Sequence, residues 1–282
     1  MTFSIVARSA DGRHFGVAVA SKFLAVGAMV PAAAVSRGER RGGALATQAL
    51  ANLSYKADGL RLLAEGTTAK ETVQRLTSAD EMAAHRQLGV VDADGQAATF
   101  TGPECLPWAG GAIGYGYAIQ GNILAGSRVV ALMEEAWLAS DPRGPLSHRL
   151  LAALAAGDAA GGDSRGKQSA ALLVVAPGEG YDGSDVLVDL RVDDHDEPVA
   201  QLGRLLALHD LLFGRSAPEM LLALEGELVA EVSRLLSQRG FVGEVGQALA
   251  AWGGRENLEM RLVEGKIDPV VLDYLRTGSG GL

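Results

Sequence analysis

Cysteine is almost absent from this chain of 282 residues, which carries a single thiol at Cys105. One cysteine excludes an intrachain disulfide and fits a reducing compartment. Lysine and arginine nowhere form a run longer than Arg40-Arg41, and the formal net charge is −9. Nucleic acid and anionic membrane surfaces are therefore not expected as partners.

Long apolar segments are missing as well. No segment approaches the ~20 consecutive apolar residues that a helix needs to cross a bilayer. The N-terminal residues do not combine a basic stretch with an uninterrupted apolar core, as an export signal would. We expect a cytoplasmic protein without a membrane partner.

Clustered metal ligands are also scarce, because the five histidines are scattered along the chain. The acidic segment 193–197 is dense, but it precedes a predicted helix, where acidic side chains cap exposed N–H groups. Segment 161–168 has glycines and Lys167 at the spacing of a P-loop. Gln168 stands where the magnesium-binding Ser or Thr belongs, and a strand follows instead of a helix. We expect no metal and no cofactor.

Apolar residues make up 48% of the chain, enough for one large core or a large domain plus a small one. Alternating apolar residues predict strands at 2–8, 14–20, 28–36, 43–48, 85–91, 96–100, 117–120, 168–176 and 185–192. Helical spacing predicts helices at 55–64, 69–76, 127–138, 146–155 and 198–212, with Thr68 and Glu71 forming a capping box. The strands and helices thus follow one another in groups and do not alternate singly, which favours a layered α+β domain over repeated βαβ units.

The pattern changes near residues 214–218, after which strand signals stop. Short helices are predicted at 219–238, 244–251, 256–263 and 269–276, separated by glycines. We therefore predict two domains, at residues 1–213 and 218–282, of which the second is small and all-α.

Thr2 directly follows the initiator methionine, whose removal is favoured when the next residue is small. The exposed α-amine, with a reference pKa near ~8, could then take the proton of the Thr2 hydroxyl. Thr2 also opens a predicted hairpin that turns at Asp11-Gly12. A two-residue loop sets Thr2 opposite Ser21, whereas a three-residue loop sets it opposite Lys22, whose charge would lower the pKa of the amine.

Polar residues interrupt apolar runs at other strand ends. Gln48 and Asn52 follow one strand, and Gln120 and Asn122 end another. Amides at such positions can orient a substrate carbonyl or donate to an oxyanion, although they often cap turns. The glycine-rich segment 161–166 carries Asp163 and Arg165, which could bind a polar substrate group or form an ion-paired turn. Cys105 is a minor alternative nucleophile, because a single cysteine is more often a packed thiol.

Several ordered segments resemble the bacterial and archaeal family of unknown function 1028, namely residues 1–7, 16–21, 46–49, 85–87, 100–102, 120–122 and 161–169. The resemblance covers about residues 1–212. It implies an N-terminal nucleophile hydrolase fold, a four-layer αββα sandwich whose members cleave amide bonds with an N-terminal Thr, Ser or Cys, and Thr2 fits that role. Residues 252–259 resemble part of a small helical module described as peptidoglycan-binding.

Together these features predict an amidohydrolase acting on a small-molecule or peptide-like amide. Thr2 would attack the carbonyl, Ser21 or Lys22 would tune its amine, and Asn122 or Gln48 would steady the oxyanion. The alternative is a non-catalytic ligand-binding or scaffold protein that keeps the same fold. We also expect a homo-oligomer, and cell-wall fragments as partners of the C-terminal domain.

Overall fold

The computed structural model describes residues 2–278. Its first element is a β-hairpin that begins at Thr2. Strands β1 (Thr2–Arg8) and β2 (Phe15–Ser21) pair antiparallel with Phe3 opposite Ala20, so the same register sets Thr2 opposite Ser21. This is the register predicted for a two-residue Asp11-Gly12 loop, although the observed loop is longer, because the Ser9 N–H donates to the His14 carbonyl at 2.9 Å and the Gly12 N–H donates to the Ser9 carbonyl at 3.0 Å. Gly12 has a φ of 77°, a left-handed conformation that glycine adopts without a steric cost.

Ten strands form two antiparallel sheets. The six-stranded sheet has the order β10-β9-β2-β1-β8-β7, with β7 (Gly110–Gly114), β8 (Tyr117–Asn122), β9 (Ser169–Val175) and β10 (Val186–Val192). The four-stranded sheet has the order β3-β4-β5-β6, with β3 (Pro31–Ala34), β4 (Gly43–Ala49), β5 (Arg86–Asp92) and β6 (Ala97–Thr101). Their antiparallel pairing confirms the predicted mixture of hairpins and helix blocks.

Successive residues of the strands face different neighbours. Ala44 and Ala46 of β4 share an apolar cluster with Val6 and Val17 of the other sheet. Leu45, between them, packs in a second cluster with residues of α2 (Ser54–Ala64) and α3 (Ala69–Ser78). Helices α4 (Arg128–Ala139) and α5 (Leu146–Ala159) contact the six-stranded sheet. The period of two thus places Ala44 and Ala46 of β4 against residues of the other sheet and Leu45 against helices.

Local signals account for most of these elements. Thr68 caps α3 by accepting a hydrogen bond from the backbone N–H of Glu71 at 3.3 Å, as predicted. The predicted strand 28–36 is shorter, because residues 26–29 form the helical turn α1 (Val26–Met29). Strand β7 was not predicted, since its glycines lack strand propensity. Gly111 is needed there, because a Cβ would lie 2.5 Å from the carbonyl oxygen of Ile119.

The chain divides into two compact units, Met1–Gly203 and Arg204–Leu282. The division falls inside helix α6 (Pro198–Phe213), and our boundaries of 213 and 218 stay a prediction. In the second unit, α7 (Gly226–Gln238), α8 (Val245–Arg255) and α9 (Pro269–Thr277) share an apolar cluster around Trp252.

The C-terminal unit departs from the all-α prediction in two places. Short strands β11 (Leu222–Ala223) and β12 (Lys266–Ile267) pair with each other. The predicted helix 256–263 is replaced by a 3-10 turn at Glu259–Arg261, because Asn257 takes a left-handed φ of 59° and ends the preceding helix. Within residues 2–278, no helix combines the length and apolar content needed to cross a membrane.

Candidate active site

The layer between the two sheets changes from apolar to polar toward Thr2. The side chains that face this layer alternate along each strand, and near Thr2 they are hydroxyls and amides. Thr2 is the most accessible of them, with 6% of its surface exposed, and the others are almost completely buried. The polar layer consists of Thr2 and Ser4 on β1, Ser21 on β2, Gln48 on β4, Gln87 on β5, and Gln120 and Asn122 on β8.

Thr2 is held by contacts from three strands. Its hydroxyl lies 3.1 Å from the hydroxyl oxygen of Ser21, and either group can be the donor. Its backbone carbonyl accepts hydrogen bonds from the amides of Gln48 at 3.3 Å and Asn122 at 3.5 Å. The register of β1 with β8 places Thr2 directly opposite Asn122. The structure thus brings together Thr2, Ser21, Gln48 and Asn122, all of which the sequence analysis singled out.

Gln87 joins these groups from the second sheet. Its side-chain carbonyl accepts hydrogen bonds from Gln48 at 2.8 Å and Asn122 at 2.9 Å. Its amide nitrogen donates to the Gly121 carbonyl at 2.7 Å and to the Thr101 hydroxyl at 2.9 Å. Both the oxygen and the nitrogen of the Gln87 side-chain amide are therefore hydrogen-bonded to protein groups. Gln87 thereby orients the amides of Gln48 and Asn122, which contact Thr2.

Gln48 and Gln120 enclose Ser4. The Ser4 hydroxyl donates to Gln48 at 2.7 Å and accepts from Gln120 at 2.6 Å. Gly89 makes room for Gln120, since a Cβ at this position would lie 1.9 Å from the Gln120 side-chain oxygen. Gln48 is buried and bonded to Thr2 and Ser4, so its geometry favours positioning of Thr2 over the predicted substrate binding. Gln120 donates to Ser4, and within the described residues its buried side-chain oxygen has no hydrogen-bond partner.

Asp163 and Arg165 hold the chain segment beyond Ser21. One Asp163 oxygen accepts from the backbone N–H of Lys22 at 2.8 Å, and Arg165 donates to the Lys22 carbonyl at 3.1 Å. Arg165 also pairs with Asp163 at 3.3 Å. The Lys22 ammonium donates instead to the backbone carbonyl of Lys167 at 3.1 Å. The predicted tuning of the Thr2 amine by Lys22 therefore has no support in this geometry, since neighbouring residues of a strand point to opposite faces.

Asn52 belongs to a different cluster, centred on Asp80. Asp80 accepts hydrogen bonds from Asn52 at 3.0 Å, Tyr55 at 2.8 Å and Arg86 at 2.9 Å. The Arg86 guanidinium is the main reason why the pKa of Asp80 is held well below its usual range. Asn52, Tyr55 and Asp80 border an open pocket of about 660 Å³. The predicted substrate-binding role of Asn52 would thus belong to this pocket rather than to the contacts of Thr2.

Cys105 has the properties of a packed thiol. Its Sγ donates to the Arg86 backbone carbonyl at 3.3 Å, and burial raises its pKa. Within residues 2–278, no group of three His, Cys, Asp or Glu side chains is placed to hold a metal ion.

The sequence analysis did not assign Ser4 or Gln87 to the site. Both are polar residues at positions that face the other sheet, next to apolar residues on the same strand. Such a polar interruption in an alternating strand is the signal that could have identified them.

Comparison with known proteins supports the family resemblance. A family model described as "Family of unknown function (DUF1028)" matches residues 2–202, and one described as "Putative peptidoglycan binding domain" matches residues 212–275. No curated protein matches the chain.

Among solved structures, the chain is similar to protein SPO2555 from Silicibacter pomeroyi, described under the same family. Sequence identity is 34%, the match covers 74% of this chain and 86% of that one, and the TM-score is 0.64. Anbu (ancestral beta-subunit) from Yersinia bercovieri matches with 10% identity, coverage of 73% and 93%, and a TM-score of 0.40. Anbu from Hyphomicrobium sp. strain MC1 matches with 11% identity, coverage of 73% and 93%, and a TM-score of 0.34.

Proposed function

Because the chain belongs to the DUF1028 family, whose description assigns no activity, we propose a function from the geometry around Thr2. The protein is an amidohydrolase that cleaves a small-molecule or peptide-like amide with Thr2 as its N-terminal nucleophile. Its first unit is a four-layer αββα sandwich of the N-terminal nucleophile hydrolase type. The observation that carries this proposal is the Thr2 hydroxyl, 3.1 Å from Ser21 at the polar end of the layer between the sheets.

The proposed reaction requires that Thr2 carry a primary amine, so everything before it must be removed. The amine takes the hydroxyl proton while the Thr2 oxygen attacks the amide carbonyl. The C–N bond of the substrate then breaks, its nitrogen leaves with the proton, and an acyl ester remains on Thr2. Water hydrolyses that ester and restores the hydroxyl.

Ser21 and Asn122 complete the proposed machinery. The Ser21 hydroxyl orients the Thr2 oxygen and can pass a proton to it. Asn122 has two amide hydrogens, of which Gln87 binds one at 2.9 Å. The contact with the Thr2 carbonyl is longer, at 3.5 Å, so the second hydrogen is weakly held and is the one available to a developing oxyanion. Gln48 donates to several protein acceptors, so Asn122 is the better candidate for the oxyanion donor.

Asp163 and Arg165 act as positioning residues in this proposal. They fix the backbone of Lys22 from both sides and so fix Ser21 beside Thr2. The carboxylate of Asp163 is almost completely buried, with 2% of its side chain exposed. Such a group is poorly placed to contact a substrate directly.

The test combines the mass of the intact protein with labelling. We expect the protein to lack Met1, and an electrophilic acylating probe such as a β-lactone to modify Thr2. Thr2→Ala should abolish labelling and amide turnover, whereas Thr2→Ser should keep part of both, because it retains a hydroxyl beside the amine. The substrate panel consists of small amides, acyl-amino acids and muropeptides.

Cys105→Ser is the matched control and should label as the unmodified protein does. Retention of Met1, or turnover that survives in Thr2→Ala, would contradict the mechanism. A Thr2 amine that is present but neither labels nor turns over any amide would favour the non-catalytic ligand-binding alternative.

For the C-terminal unit we propose cell-wall fragments as partners, on the basis of the matched domain description. Homo-oligomerisation and a cytoplasmic location stay predictions. Light scattering of the purified protein and fractionation of the cells test them.

A further inference from the structure

The C-terminal unit contains a small pocket that no description assigns. It has a volume of about 210 Å³ and lies where the ends of α7, α8 and α9 meet. This is below the ~300 Å³ at which pockets for drug-sized ligands begin, so it suits a group no larger than one amino-acid residue. Its walls include Arg239, Phe241, Trp252, Arg255, Glu256 and Tyr274.

One wall of the pocket is aromatic and rigid. The rings of Trp252 and Tyr274 pack with their centroids 5.9 Å apart, and Trp252 is 2% exposed. The Arg255 guanidinium lies 5.8 Å from the centroid of the Phe241 ring. The two rings are tilted by 36°, and buried Trp252 supports the partly exposed rings of Tyr274 and Phe241, against which an apolar stem can pack.

The charges of the pocket are not balanced. Two other arginines of this unit have carboxylate partners, since Arg276 pairs with Glu231 and Arg261 pairs with Asp268. Within the described part of the chain, neither Arg239 nor Arg255 forms a salt bridge, and Arg239 donates only to the Leu235 carbonyl, at 3.2 Å. An arginine without a carboxylate partner at a concave surface is suited to bind a carboxylate from a ligand.

The pocket also contains an oriented negative charge. The Tyr274 hydroxyl donates to Glu256 at 3.2 Å, which fixes the direction of that carboxylate beside the aromatic wall. A ligand that met only the arginines would leave Glu256 close to its own negative charge. A ligand with both a carboxylate and an ammonium group can pair with the two arginines and with Glu256.

We propose that this pocket binds the zwitterionic end of an amino acid, in which a carboxylate and an ammonium group share one carbon. The carboxylate pairs with Arg239 and Arg255, the ammonium pairs with Glu256, and the apolar stem lies against Phe241 and Tyr274. This inference deepens the proposed binding of wall fragments by naming the group that is recognised. It does not depend on amide cleavage at Thr2.

Calorimetric titration of the full chain with three matched probes tests the proposal. Nε-acetyl-lysine carries both charges, Nα,Nε-diacetyl-lysine lacks the ammonium, and Nε-acetyl-lysine amide lacks the carboxylate. We expect Nε-acetyl-lysine to bind about tenfold more tightly than either of the others, the change expected for one hydrogen bond to a charged group. Equal binding of all three probes, or no binding of any at millimolar concentration, would overturn the proposal.

Variants of the pocket separate the two charges. Arg255→Ala should weaken Nε-acetyl-lysine about tenfold, and Glu256→Gln should remove its advantage over the diacetyl probe. Arg234→Ala is the control, because Arg234 is exposed on α7 and does not line the pocket. An equal loss in the Arg234 variant would contradict the assignment.

Thr2→Ala should bind all three probes as the unmodified chain does. A failure of the amidohydrolase proposal would therefore leave these titrations unchanged. A failure of the pocket proposal would leave labelling at Thr2 unchanged.

Discussion

Gln87 connects the two sheets by hydrogen bonds close to Thr2. It donates to Gly121 in one sheet and to Thr101 in the other, and it accepts from Gln48 and Asn122. A buried amide is costly unless its donors and acceptor are all paired, and here they are. The network therefore fixes the positions of the side chains around Thr2 as well as the spacing of the sheets.

Replacing Gln48 by methionine keeps the length of the side chain but removes its hydrogen bonds. Ser4 then loses its acceptor at 2.7 Å, and the Thr2 carbonyl loses a donor. We expect the free energy of unfolding to fall by about 1–3 kcal/mol, the cost of leaving buried polar groups unpaired. Under the proposed mechanism, turnover should fall through kcat more than through KM, because the contact of Gln48 is with the Thr2 carbonyl.

Denaturant unfolding and steady-state kinetics measure these two effects. Gln74→Met on the exposed face of α3 is the control and should change neither. An unaltered unfolding free energy in Gln48→Met would show that the polar network does not stabilise the fold.

At the scale of elements, Asp80 connects helices α2 and α3, which pack on the four-stranded sheet, to the start of β5. It follows α3, it accepts from Asn52 and Tyr55 at the start of α2, and it pairs with Arg86. Arg86 also donates to the carbonyl of Leu50, close to the end of β4. One carboxylate thus fixes the loop that follows Gln48.

The depressed pKa of Asp80 gives a pH-dependent stability. Because its folded pKa lies below the unfolded value of about 3.9, its stabilisation is complete above that pH and is lost as the pH falls toward the folded pKa. We expect Asp80→Asn to lower the free energy of unfolding by about 2 kcal/mol at neutral pH. The difference from the unmodified protein should shrink below about pH 4.

Denaturant unfolding at a series of pH values checks this expectation. Asp58→Asn is the matched control, because Asp58 borders the same pocket with 51% of its side chain exposed. A difference that grows toward low pH would contradict the assignment.

Elements with local signals could be predicted from the sequence, and those that depend on packing could not. The Asp11-Gly12 signal predicted the hairpin register that sets Thr2 beside Ser21, and Thr68 marked the start of α3. Strand β7 has glycines in place of strand-forming residues, so only its pairing with β8 reveals it. Gln87 interrupts an apolar strand, which marks it as a candidate, but its contact with Asn122 forms only when the two sheets pack together and could not be predicted.

At the scale of the whole molecule, the second unit has a buried ion pair beside its own apolar core. Arg261 and Asp268 lie 2.9 Å apart, with 6% and 1% of their side chains exposed. Asp268 also caps α9 and accepts from Ser216, and Arg261 donates to the carbonyls of Asp210 and Leu211. Removal of one partner leaves an uncompensated buried charge.

Arg261→Met should therefore destabilise the C-terminal unit by about 3–5 kcal/mol. Differential scanning calorimetry should show this as a lower transition for that unit, while labelling of Thr2 stays unchanged. Arg276→Met, which breaks an exposed pair with Glu231, should cost at most about 1 kcal/mol. Equal effects of the two variants would show that burial of the Arg261–Asp268 pair does not matter.

The nearly complete burial of Thr2 has a consequence for the order of events in the cell. Its partner Asn122 lies 120 residues further along the chain, so a ribosome adding roughly 5–20 residues per second supplies it on the order of 6–24 s after Thr2. An aminopeptidase can reach the residue before Thr2 during that interval. Once β8 has paired with β1, Thr2 itself is shielded, and under the proposed mechanism a chain that missed the interval keeps a blocked nucleophile. Slow and fast translation of one message would then yield different fractions of active protein from an identical amino-acid sequence.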